Sequence, residues 1–458
     1  MEKNYFLLLL TALFAVVSCN HDVEQIVCNP TDVTEEAIAD GNVPFSRAIS
    51  NADFVFKNIE GVSAKKRKVR SVDVLTRPNA NSSVVRARSS FSSNEEDKPI
   101  AYVVNYENND GFAILAADTK LPPVISIGDE GNFNTNEFLS FIQNRNTTRS
   151  NSPLNPAQEI QYAVISNSLM LPSINVGGAN IIEGRDTTVM LKCLPLVPTK
   201  WGQQDPYNYC APPNSSKPSG RSDAGCVPLA GAQIFASLCY HHNWRPTVQL
   251  SNEFPVDWYL INEILHSKIY SFEIGDYSEN SLAVASLIRA VGAYINANYY
   301  NGNYTTSDNA MLVYAFNLLG LSEAQNQNSN TQITKNEIFN MIVNKNIPLA
   351  AQGECDGMVY GHSFVLDGLL RLEYSIAVTK HISDELVGGI GYKRDLIRYH
   401  FDLVHVNFGW EGRCDGYYLP DAFDLTKTKY KEYSEESDSN DLLPYVFDLD
   451  VEYLTYEL

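Results

Sequence analysis

The stretch Asp223–Tyr240, DAGCVPLAGAQIFASLCY, constrains this chain more than any other. From Cys226 onward it is apolar almost all round, with only Gln233 and Ser237 polar inside, which is the pattern of a helix buried in the middle of a domain. Pro228 has no backbone donor and fits only a first helical turn, while Gly225 lets the chain bend just ahead of it. The helix therefore starts at Cys226. Unpaired N–H groups and the positive end of the helix dipole favour an anion there, so a thiol is drawn toward thiolate, the form that attacks carbonyls. A cysteine opening an apolar helix is also an ordinary core residue. Its chemistry depends on a histidine elsewhere in the chain.

At 458 residues and 44% hydrophobic content the chain can bury two to three domains' worth of core. The net charge of −20, of which the part from Cys193 onward carries −15, disfavours binding to nucleic acid or to an anionic membrane surface by charge. At the N-terminus, Lys3 precedes the apolar run Phe6–Val17, which is too short for a permanent membrane helix and fits the apolar region of a signal peptide. The run ends in Val16-Val17-Ser18-Cys19, which resembles the bacterial lipoprotein box, where the cysteine is acylated and becomes the first mature residue. A plain signal peptide that contains a cysteine is the competing reading. Either way the expectation is export, as an outer-membrane or cell-surface lipoprotein or as a secreted protein, with membrane contact only through the lipid. No CxxC or Cys/His metal spacing occurs, so neither a metal nor a cofactor is expected.

Read in order, residues 1–18 are the expected lipoprotein signal peptide and 19–98 a tether and weakly structured arm. That arm carries a basic run, Lys65–Arg70, expected to be solvated and to face the acidic C-terminal part. Residues 99–186 are expected to form a small α+β unit and its linker. Ile100–Tyr106, the turn at Asn108–Gly111 and Phe112–Ala117 read as a hairpin, with a third strand at Leu121–Ile127 and helices from Asn134 and Pro156. Pro172–Asp186 reads as a linker in which Arg185 is open to cleavage. In the remainder, 187–458, helical patterns come first and β-rich segments follow Pro348, which gives an α+β domain.

Two of those late strands carry the missing groups. His362 opens HSFVLDG, and Asn407 ends LVHVN just before Phe408-Gly409-Trp410. Adjacent strands can hold both side chains against the Cys226 helix, with His as base and Asn orienting the imidazole. Gln203 can add a side-chain donor to the Cys226 N–H in holding an oxyanion. His405, on the same strand face as Asn407, competes with His362 for the role of base, but lies too near Asn407 in sequence for base and orienter to converge. His241 and His242 end the central helix, where a cation meets the negative end of the dipole, and are assigned no chemistry.

The segments WGQQDPYN, GCVPLAGAQIF, YHHNW, GHSFVLDG and HVNFGWEG…DGYY together resemble streptopain-family, papain-like cysteine peptidases, and GFAILAADTKLPPVISIGDEGNF resembles that family's inhibitory prodomain. The resemblance implies a papain-like fold of helical part plus antiparallel sheet, with Cys226 as nucleophile, His362 as base, Asn407 as orienter, Gln203 in the oxyanion hole and Trp410 shielding the His–Asn pair. Phe408 stands where the family usually has Trp, Glu411 where it usually has Gly, and residues 372–399 are inserted relative to streptopain. The chain is thus expected to be a lipid-anchored cysteine endopeptidase made as a zymogen, with protein or peptide substrates and its own prodomain as inhibitor. Acyl transfer to an amine by the same site and an inactive surface-binding lipoprotein are the alternatives.

Overall fold

The computed structural model describes residues 24–26, 42–61, 65–77, 86–88, 98–119, 121–144, 154–169, 180–246, 248–300, 305–307, 309–327, 335–355, 358, 361–384, 389–423 and 449–458. The signal-like run, Cys19 and the acidic run Glu432–Asp441 lie outside the described residues. The N-terminal elements are β1 (Glu24–Ile26), α1 (Phe45–Glu60), β2 (Val69–Arg77), β3 (Arg86–Arg88), β4 (Lys98–Tyr106), β5 (Phe112–Ala116), β6 (Val124–Gly128), α2 (Thr135–Gln143) and α3 (Pro156–Leu169). The expected hairpin is β4–β5, turned by Asn108 and Asn109 in left-handed conformation and by Gly111 at φ 94°, where a Cβ would sit 2.2 Å from the Gly128 carbonyl oxygen.

The arm expected to be weakly structured contains α1 and β2 instead. In α1, Ala48, Asn51, Ala52, Val55 and Phe56 are buried, a spacing of three and four residues that lines one helix face and packs it on the hairpin sheet. The basic run is likewise consumed inside this unit: Lys65 pairs with Asp110, Arg67 with Glu60 and Lys68 with Glu107. Arg67 also lies over the Phe56 ring at 3.7 Å.

The chain continues through β7 (Asn180–Cys193), α4 (Cys226–His242), α5 (Trp258–His266), α6 (Glu279–Tyr294), α7 (Asn309–Leu318), β8 (Ser322–Gln327) and α8 (Lys335–Phe339). It ends with β9 (Leu349–Cys355), β10 (His362–Asp384), β11 (Gly389–Asn407), β12 (Gly416–Tyr418) and β13 (Leu449–Glu457). Every residue of α4 from Val227 to Cys239 is buried, as its unbroken apolar surface requires. The linker expected as an open loop runs from Asn180 into β7, which pairs antiparallel with β10 from Thr379 back to Leu369. The residues inserted at 372–399 are the far part of the β10–β11 hairpin, and β7 is laid along its edge.

The described strands form one sheet. Its path runs β3-β2-β4-β5-β6-β12-β11-β10-β9-β13-β8, with β1 on β11 and β7 on β10. The N-terminal unit meets the C-terminal one by backbone pairing, with Gly128 opposite Gly416, Ile127 opposite Tyr417 and Ser126 opposite Tyr418. Helix α3 fills the same junction. Gln161 donates to the Tyr418 hydroxyl at 2.7 Å and Asn167 to the Ala422 carbonyl at 3.2 Å, which accounts for polar residues on a helix buried almost all round.

Candidate active site

Gly225, at φ 94°, caps α4 and delivers Cys226 to its N-terminus. A Cβ at position 225 would lie 2.8 Å from the Thr305 methyl group, so only glycine fits. Burial pushes the Cys226 thiol up, while a hydrogen bond from the Ser363 backbone and the helix N–H groups pull it down. The sulfur thus lies against the strand residue that follows His362.

His362 is buried, stacked on Phe408 with ring centroids 6.3 Å apart and met edge-on by Trp410 at 6.2 Å. Its Nε2 is 2.7 Å from the Phe408 carbonyl oxygen. A carbonyl only accepts, so Nε2 carries the proton and Nδ1 is left as the acceptor. Burial lowers its pKa to about 4 against the smaller opposing effect of the Phe408 carbonyl. At neutral pH His362 is therefore a neutral imidazole and Cys226 a neutral thiol.

Asn407 does not meet His362. Its Oδ1 accepts from Gln233 Nε2 at 3.1 Å and from the Gly409 N–H at 3.0 Å, and its Nδ2 donates to the Thr199 carbonyl at 2.7 Å. The expected orienter is thus fully engaged with α4 and the segment before Trp201. Gln233 was visible in the sequence only as a polar interruption of an apolar helix. It sits seven residues, or two turns, beyond Cys226, on the same helix face, and ties that helix to the strand end that carries Asn407. Gln203 is buried and its carbonyl accepts from the N–H of Ala224, two residues ahead of Cys226, at 2.8 Å. Glu411 rests on Gly202, where a Cβ would stand 2.6 Å from the Glu411 Cγ.

His405, on the same strand as Asn407, is held by carboxylates and not by the groups around Cys226. Its Nδ1 lies 2.6 Å from Asp367 Oδ1 and its Nε2 lies 2.9 Å from Asp129 Oδ2. With a carboxylate on each ring nitrogen, it has no lone pair to offer as a base. Among the described residues no group of His, Cys, Asp or Glu is arranged to hold a metal ion.

Residues 201–418 match the family model described as Peptidase C10 family, and residues 56–147 match the model of a Spi protease inhibitor. No curated protein matches the chain. Among solved structures, the chain is similar to a fragment of prointerpain A from Prevotella intermedia that carries a cysteine-to-alanine substitution. The identity is 18% and the TM-score 0.45, over 85% of this chain and 98% of that one. It is also similar to active wild-type interpain A cysteine protease of the same organism, at 21% identity and a TM-score of 0.36, over 58% of this chain and 95% of that one.

Proposed function

We propose, on the premise that this chain carries a cysteine peptidase domain of the C10 family behind a Spi-type inhibitory propeptide, that it is an exported, lipid-anchored endopeptidase held latent by its own N-terminal domain. The observation that carries the reading is the meeting of two elements. The Cys226 sulfur opens a buried helix and lies against Ser363, the neighbour of His362, whose Nε2 proton is committed to a carbonyl. That tautomer leaves Nδ1 to take the thiol proton.

In the working enzyme, His362 accepts the Cys226 proton and the thiolate attacks the substrate carbonyl. The oxyanion is held by the Cys226 N–H and the Gln203 amide. His362 then returns the proton to the leaving amine, and water, deprotonated by the same ring, releases the acyl group. Asn407 orients the imidazolium once it is released from Gln233, and Trp410 keeps water off the pair. In the docked chain Asn407 bonds Gln233 and His362 is held neutral, so turnover on this reading requires both to rearrange.

Export rests on the run Phe6–Val17 and the anchor on Cys19. No helix among the described residues is long and apolar enough to cross a membrane. The reading is tested by exposing the uncut and the processed chain to a peptidyl epoxide. Stoichiometric labelling of Cys226 in the processed chain, slow labelling in the uncut one, and no turnover by Cys226→Ala are expected. Equal labelling of both forms would remove latency, and turnover by Cys226→Ala at the wild-type rate would move the nucleophile.

A further inference from the structure

The inhibitory domain and the peptidase domain meet at one buried ionic cluster. His405 on β11 is 4% exposed at its side chain and has Asp367 of β10 on one side, its carboxylate fully buried. On the other side is Asp129, which follows β6 and belongs to the inhibitory domain. Both ring nitrogens face carboxylate oxygens, at 2.6 and 2.9 Å, and only a doubly protonated imidazolium can donate to both. Next to this bridge, the Asp129 N–H donates to the Asp415 carbonyl at 2.9 Å, and the Asp415 side chain accepts from the Phe408 N–H at 2.7 Å. Tyr417 covers the ring edge-on with centroids 4.9 Å apart, while Cys193 and His241 face Asp367. Burial keeps the phenol, the thiol and His241 uncharged. Burial likewise raises the Tyr418 phenol and the Cys414 thiol that face Asp415; beside the Lys200–Glu130 pair and Arg413, the charges within the cluster are those of His405, Asp129, Asp367 and Asp415.

We propose that this cluster is an alkali-sensitive latch: the His405 imidazolium fastens the inhibitory domain to the peptidase sheet through Asp129, and the docked state is given up as pH rises above neutrality.

The direction follows from which side holds the protons. Burial works against the charge on His405, but Asp367 and Asp129 outweigh it and raise its pKa well above the ordinary imidazole value. On release, Asp129 leaves and the ring keeps one carboxylate instead of two, so the docked form holds this proton more tightly. Its contribution to docking is full below the released value and is lost as pH climbs through the docked one. Asp415 acts with the same sign. Burial, reinforced by Asp129 and Asp367 and opposed by His405, raises its pKa to about 8 in the docked chain. Undocking removes Asp129 and lets water reach β12, so the carboxyl ionises more readily. Its proton, too, favours docking and is lost as pH passes about 8.

The test is amide hydrogen exchange of segment 124–129 in the full-length Cys226→Ala chain, read as protection factors so that the intrinsic pH dependence divides out. We expect level protection between about pH 6.5 and 7.5, then a fall from about pH 8 of up to tenfold per pH unit for each proton released. Asp129→Asn should start lower at pH 7 and fall less steeply, since His405 no longer contributes. Asp415→Asn, which keeps an acceptor for the Phe408 N–H and cannot ionise, should hold its protection to higher pH than the wild-type sequence. Level wild-type protection up to pH 9.5, or an Asp129→Asn profile superimposed on it, would overturn the latch. An Asp415→Asn profile identical to wild type would overturn the part given to that carboxyl. The inference deepens the zymogen reading, yet exchange in a chain without its nucleophile reports docking whether or not the uncut chain is latent, so the two can fail separately.

Discussion

Gly416 is the position at which an added methyl group would press directly on the inhibitory domain. A Cβ built there would lie 2.1 Å from the Ile127 carbonyl oxygen, 2.9 Å from the Gly128 Cα and 3.0 Å from the Ile127 carbonyl carbon. All three atoms belong to β6 or its end. To restore even the 3.0 Å that real Cβ atoms keep, β6 must retreat by about 0.9 Å. A retreat of that size stretches the 2.9 Å bond from the Asp129 N–H to the Asp415 carbonyl beyond hydrogen-bond range. Whether the strain is taken as overpacking or as lost ladder bonds, the cost is about 2 kcal/mol, which shifts the docked-to-released ratio by roughly 30-fold. Gly416→Ala should therefore raise the initial rate of epoxide labelling of Cys226 in freshly purified uncut chain by about that factor, because labelling proceeds through the released form. The processed enzymes, with and without the substitution, should label at one rate. If uncut Gly416→Ala labels as slowly as the unaltered chain while melting at a similar temperature, the β6–β12 pairing is not what maintains latency.

Two further outcomes are expected. His362→Ala should lose activity as completely as Cys226→Ala, whereas Asn407→Ala should retain a measurable fraction of kcat, because an orienter contributes less than the base; an active His362→Ala with a dead His405→Ala would reverse the choice of base. Cys19→Ala should move the protein from the membrane to the soluble fraction or stall its processing, and unchanged fractionation would remove the anchor.

The features legible in the sequence are those that local pattern decides. Helix α4 announces itself by an apolar surface bounded by Gly225 and Pro228, and the β4–β5 hairpin by its Asn/Gly turn, since both signals lie within a few residues of what they specify. Helix α1 was not legible, because its buried face includes Asn51 and is embedded in a stretch whose Ser, Asn and Lys content reads as a tether. Strand β7 has the composition of a linker, and only the edge offered by the inserted β10–β11 hairpin makes it a strand, a tertiary decision that β-propensity does not carry. The site divides in the same way. Motif and chain order single out Cys226, His362, Asn407 and Gln203, but the partners that Asn407 takes come from Gln233, 174 residues away, and from the Thr199 backbone. His405 shows the limit most plainly. Alternation places it beside Asn407, while the carboxylate that distinguishes a structural cation from a base is Asp129, 276 residues earlier in the chain.

On the proposed reading, latency would act through the sheet that the N-terminal unit shares with the peptidase strands. The strands that carry His362 and Asn407, β10 and β11, are continuous through β12 with the inhibitory domain, so displacement of β6 is felt one strand away from the site. The turn between β11 and β12 is the connection: Asp415 receives the Asp129 N–H on its carbonyl and holds the Phe408 N–H with its side chain, and the Phe408 carbonyl in turn holds the His362 ring. Removal of β6 leaves β12 as a new sheet edge only three residues long, between Asp415 and Leu419 and soon ended by Pro420. Short edges of this kind resist pairing with other chains. The released peptidase can thus expose the strand that its propeptide had covered without offering a template for aggregation.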